Sequence, residues 1–107
     1  MRTKLRLYGH IRALEANGIG VYVLHQGDAD RGMILLKLCC LPDRQCFFMS
    51  LERNDEDELH WRKLFAHPTI SESEAEQYWQ KRCAIDPDLW VVELIYKPPQ
   101  APESLLF

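Results

Sequence analysis

The chain has no long apolar run and no paired cysteine knuckle, and its basic N-terminal residues are not followed by an apolar segment; each feature bears on a class of function. In 107 residues the longest apolar stretches, such as residues 33–36, fall far short of the roughly 20 residues that span a bilayer. The basic N-terminus is not followed by an apolar h-region, so no secretory leader is expected and a cytoplasmic location is. Cys39, Cys40, Cys46 and Cys83 lack the C-x-x-C pairs of a thiolate zinc site, and adjacent cysteines do not easily reach one metal. In a cytosolic chain they read as reduced, small apolar side chains.

The histidines add no metal signature. No two of His10, His25, His60 and His67 stand at i, i+4 on one expected helix, and none opens an H-E-x-x-H motif. Asp28-Ala29-Asp30-Arg31-Gly32 begins like a calcium loop, but the position that should hold the closing acid is Cys39. No metal and no cofactor are therefore expected. Net charge is −3, unevenly spread. Arg2, Lys4, Arg6 and Arg12 precede the first acid, Glu15, whereas residues 52–58 hold five acids and one base. Four basic residues on an acidic chain read as a solvated helix face. Tyr22, Phe47, Phe48, Trp61, Trp79 and Trp90 lack the basic groove of a single-strand binder, which argues against nucleic acid and for core packing.

What is present is an ordinary globular composition, 47% apolar and 27% charged, in a chain long enough to bury about two-thirds of its surface. Residues 71–96 are the most legible. Ser71 and Glu74 form a capping box, and Glu72, Glu74 and Glu76 complement the positive end of the helix dipole as Lys81 and Arg82 do the negative end. Ala75, Tyr78, Trp79, Arg82 and Cys83 make one helical stripe. Pro87 stops the helix near Ile85, and the β-branched, aromatic run 89–96 follows as a strand. Leu7, Ile11 and Leu14 mark a first helix over residues 4–16, closed by Asn17-Gly18.

Residues 20–26, 33–41 and 45–53 read as strands, separated by a turn at 27–32 and by Pro42-Asp43. In the first turn Gly27 and Gly32 are expected to take positive φ, and the Asp residues to cap their own backbone. Residues 59–65 suit a strand by alternation and a helix by face; a short fourth strand is the adopted reading. The expectation is one α+β domain over residues 1–97 with a Pro-rich tail, 98–107. Its four- to five-stranded antiparallel sheet and two helices run α-β-β-β-(β)-α-β, as a meander with the helices on one face.

The segment Gly27-Asp28-Ala29-Asp30-Arg31-Gly32 with the following strand, then Ser73-Glu74-Ala75-Glu76 leading to Asp86-Pro87-Asp88-Leu89-Trp90-Val91-Val92-Glu93, resembles the DUF1491 family. The resemblance covers most of residues 8–96 and is most specific over 86–93. It implies a small single-domain protein of an alphaproteobacterium, of unknown function. It supplies no catalytic residues.

Contacts to a ligand or partner are sought at Asp28, Asp30, Asp86, Asp88 and Glu93, and at Leu106 and Phe107 in the apolar tail end, which either docks on the sheet or serves a partner. If Pro42-Asp43 is a two-residue turn, Cys39 lies across from Cys46 on one face and Cys40 points to the other. Glu93 shares its face with Val91 and Ile95, and a cross-strand Lys37 would satisfy it. Two functions stay open. The preferred one is a non-catalytic interaction or ligand-binding module, whose partner is a protein, a small molecule or a second copy of the chain, with no membrane involved. The alternative is a small hydrolase or transferase using Asp86, Asp88 and Glu93 in a cleft where the last strand meets the Asp28 loop.

Overall fold

A computed structural model describes residues 3–53, 55–65 and 68–98. The elements run α1 (Thr3–Ala16), β1 (Gly20–His25), β2 (Ile34–Cys40), β3 (Gln45–Arg53), β4 (Leu59–Leu64), α2 (Glu72–Ile85) and β5 (Trp90–Tyr96). This is the expected α+β class and element order, with the fourth strand formed. Among these residues no helix is long and apolar enough to cross a membrane.

The helix ends follow local chemistry. Ser71 Oγ accepts the Glu74 N–H at 3.2 Å and Glu74 Oε1 accepts the Ser71 N–H at 3.4 Å, which completes the capping box. At the other end of α2 the Asp86 N–H bonds the Arg82 carbonyl at 2.9 Å, and Pro87 prevents continuation. Gly18 closes α1 in the left-handed region at φ 81°, a conformation that costs glycine little.

The sheet order is β1-β5-β2-β3-β4. Three of its neighbouring pairs are antiparallel, whereas β2 and β5 are parallel. The meander expected from the sequence is therefore corrected at one place. β5 returns after α2 and inserts between β1 and β2, so residues 27–32 are not a hairpin turn but a connection that passes over the start of β5.

The two glycines of that connection serve close approach rather than positive φ. Neither lies in the left-handed region. A Cβ on Gly27 would land on the Asp88 carbonyl oxygen, and one on Gly32 would come within 2.7 Å of Trp90 Cδ1. Only a residue without a side chain lets the two backbones meet there.

The helices lie on opposite faces of the sheet, not on one. α1 sends Leu7 and Leu14 against Ile34, Leu36, Trp90 and Val92, while α2 sends Ala75, Tyr78 and Trp79 against Leu35, Phe48 and Val91. The cause lies in β2 and β5, whose side chains are buried on both faces. A central strand apolar on both sides needs cover on both sides.

Candidate functional site

A cleft of about 460 Å³ opens where the start of α1 meets the 27–32 connection. Thr3 Oγ1 donates to the Gly32 carbonyl at 2.9 Å, and the Lys4 N–H bonds the Ala29 carbonyl at 2.9 Å, so the first turn of α1 is fastened to the connection. Asp28 shapes it further. Its Oδ1 accepts the N–H groups of Asp30 at 2.8 Å and Arg31 at 3.2 Å, and these two backbone donors hold its carboxyl below the usual carboxylate range. The Trp90 indole N–H donates to the Asp28 carbonyl at 2.7 Å, tying the connection to the buried core.

The cleft walls divide by chemistry. Arg6, Asp30 and Arg31 supply polar groups at the α1 and connection side, and Met33, Ile34, Leu51 and Leu59 supply an apolar floor from the adjoining strand ends. The volume lies within the range that holds a small organic ligand. Of the acids sought from sequence, Asp30 lines this cleft, and Asp28 builds its wall through backbone caps rather than facing it.

The other three acids are divided between two places. Asp86 Oδ1 accepts the Asp88 N–H at 3.2 Å, and the Asp88 carbonyl accepts the Asp28 N–H at 3.0 Å, so this turn does meet the Asp28 loop as expected. Glu93, in the middle of β5, instead faces α2 and receives Lys37 Nζ at 2.7 Å. Among the described residues, no three His, Cys, Asp or Glu groups are placed to hold a metal. Leu106 and Phe107 lie outside the described residues, as does His67.

Lys37 is 2% exposed, and its ammonium also reaches Glu76 of α2 at 3.0 Å. Burial alone would pull its pKa down, but the hydrogen bonds to Glu93 and Glu76 outweigh that and hold it above the ordinary lysine value. The Lys37–Glu93 pair was legible in the sequence from strand faces; Glu76 was not, because its reach depends on where α2 crosses the sheet. Arg6 and Arg31 were also missed as cleft residues. The available signal was the glycine pair flanking Arg31, which marks a close backbone approach.

On the same face Cys39 and Cys46 stand opposite each other, their sulfurs 2.8 Å apart, with Cys39 Sγ 3.7 Å from Glu93 Oε2. The Cys39 pKa is raised by its hydrogen bond to Cys46 and by burial, and that bond lowers the Cys46 pKa. Cys40 packs on the α1 side, as the hairpin count predicted. All four cysteines are free thiols.

An α+β protein with a cleft at one end of a mixed sheet is the class these features define. The family model for DUF1491, a protein of unknown function, matches residues 1–101, and the chain belongs to that family. A crystal structure of a DUF1491 family protein from Caulobacter crescentus CB15 is 27% identical with a TM-score of 0.77, covering 89% of this chain and 87% of that one. An NMR structure of a DUF1491 family protein from the same organism is 26% identical, with a TM-score of 0.80 over 94% of this chain and 89% of that one. The solution structure of protein Atu0922 from A. tumefaciens shares the fold at 18% identity, with a TM-score of 0.77 and coverage of 99% and 92%. No curated protein matches the chain.

Proposed function

We propose that the protein is a non-catalytic module that binds a small organic anion with an apolar body. The observation that carries this reading is the cleft itself, lined by Arg6 and Arg31 beside the single acid Asp30 on one side and by Met33, Ile34, Leu51 and Leu59 on the other. Guanidinium groups recognise carboxylate and phosphate oxygens through paired donors, while an apolar floor supplies affinity by removing hydrocarbon surface from water. Binding rather than turnover is favoured because two of the three acids considered for general-base work are engaged elsewhere, Glu93 with Lys37 and Asp86 with a backbone N–H.

The test is a titration of ¹⁵N-labelled full chain with a panel of aliphatic and aromatic carboxylates and phosphomonoesters. At least one should shift the amide signals of Thr3, Gly32 and Met33 together. Its binding should be lost in the Arg6→Ala/Arg31→Ala variant at an unchanged melting temperature. Silence of those amides across the panel at millimolar concentration, or undiminished binding by the variant, overturns the reading.

A further inference from the structure

We infer that Cys39 and Cys46 form a reversible dithiol–disulfide couple, oxidised by a small hydroperoxide and closing a covalent bond across the β2–β3 hairpin. The backbone singles out this pair. The N–H and carbonyl of Cys46 both bond Ile70, each at 2.9 Å, so they point away from β2. Cys39 and Cys46, opposed in the ladder, are therefore a non-hydrogen-bonded pair, the kind whose Cα atoms approach to about 4.5 Å. That separation falls within the range of roughly 4.4 to 6.8 Å that a disulfide bridges. Both side chains leave the sheet on the α2 face, and their sulfurs already touch at 2.8 Å.

The remaining cysteines are not alternatives. Cys40 follows Cys39 on the strand and so projects to the opposite face, where it packs with the α1 core and lies 3.5 Å from the Leu41 carbonyl. Cys83 belongs to α2, and its pKa is raised by burial and by nearby Asp86. Cys46 is the member of the pair that ionises first, because the Cys39 S–H stabilises its thiolate, with the Lys37 ammonium adding to the effect.

The chemistry balances with a hydroperoxide as the only co-reactant. The Cys46 thiolate gives an electron pair to one peroxide oxygen; the O–O bond breaks, and the departing oxygen takes a proton to leave as water or an alcohol. Cys46 is then a sulfenic acid. The Cys39 sulfur attacks it, the S–S bond forms, and the sulfenic hydroxyl leaves as water with the Cys39 proton. Two thiols lose two electrons and two protons in all, and an external dithiol reverses the change by thiol–disulfide exchange. Cys39 is 2% and Cys46 0% exposed, so the oxidant must be small enough to enter during local openings of α2. A bulky disulfide such as oxidised glutathione is disfavoured for the same reason.

The experiment exposes the reduced full chain to hydrogen peroxide at neutral pH, alkylates free thiols and maps tryptic peptides by mass spectrometry. The expected product has lost two hydrogens and joins peptide 38–44 to peptide 45–53, with fragmentation placing the bond at Cys39 rather than Cys40. The bond should survive in Cys40→Ser, vanish in Cys39→Ser and be reversed by dithiothreitol. Fragmentation of the wild-type product gives the assignment independently of whether the serine variants fold. Oxidised glutathione at equal oxidising equivalents should act more slowly. Four alkylatable thiols after peroxide, a bond through Cys40 or Cys83, accumulation of Cys46 sulfinic acid in place of a bond, or faster oxidation by glutathione disulfide would each overturn the inference.

Discussion

The two faces of the sheet use the same three central strands and carry different loads. On the α1 face, Ile34, Leu36, Leu38, Met49, Leu51, Trp90, Val92 and Leu94 are all buried and all apolar. The alternate positions, on the α2 face, include Lys37, Cys39, Cys46, Ser50 and Glu93 among the apolar residues. The α1 face can be stabilised by area alone, with little demand on direction. The α2 face cannot, because a buried ammonium is tolerated only where its partners are correctly placed. One face thus supplies bulk stability, and the other makes stability conditional on a particular seating of α2.

The largest expected effect tests the apolar face. Trp90 is fully buried, packs edge-on against Tyr8 at 6.0 Å and bonds the Asp28 carbonyl. Trp90→Ala should cost about 3 to 5 kcal/mol, enough to unfold or nearly unfold a small domain. A urea midpoint equal to wild type would break the contrast between the faces.

Next comes the ion pair. Lys37→Met should cost about 3 kcal/mol, near the low end for a broken buried pair, because the Glu93 side chain keeps 15% exposure and Glu76 can turn to water from 44%. Lys37→Met/Glu93→Leu should recover most of that loss. Equal stability of the single and double variants in urea would show that the charges are not coupled.

The same pair has a pH signature. The Lys37 pKa is raised on folding, so its contribution is fully present below the unfolded value of roughly 10.4 and is lost as pH rises through the higher folded value. Wild type should therefore lose stability relative to the double variant above that point and not between pH 6 and 9. Parallel urea curves across the alkaline range check this.

Gly32→Ala should cost about 1 to 3 kcal/mol by overpacking against Trp90 and the Asp88 carbonyl. It would also disturb the cleft wall, which the amide signal of Thr3 would report. The smallest effect belongs to Ser71→Ala, about 1 kcal/mol for loss of a cap. A loss of similar size from Ser71→Gly would point to a role for Ser71 beyond capping.

Much of the fold was legible because it depends on neighbours in sequence. The capping box, the stop at Pro87, the Cys39–Cys46 register and the face occupied by Glu93 all follow from a few consecutive residues. The meander and the single helical layer were misjudged for one shared reason. Residues 33–41 and 89–96 were read as strands without weighing that neither alternates cleanly between apolar and polar. That lack of alternation is the mark of a central strand covered on both faces, and it was the available signal for helices on opposite sides.

The cleft was less legible still. Arg6 resembled any basic residue on a solvated helix, and Arg31 a turn residue; only the docking of α1 onto residues 29–32 brings them to one place.

By itself the sequence determined the elements, their order, their ends and the pairing within the β2–β3 hairpin, since those depend on dihedral preferences and hydrogen bonds over a few residues. Only the tertiary structure decided that β5 lies between β1 and β2, that Glu76 joins Lys37 from across the sheet, and that two arginines far apart in the chain face one cleft. Such contacts form when distant segments close together, and the choice among competing closures is made by burying both faces of β2 and β5 at once, a condition that no local stretch of residues can express.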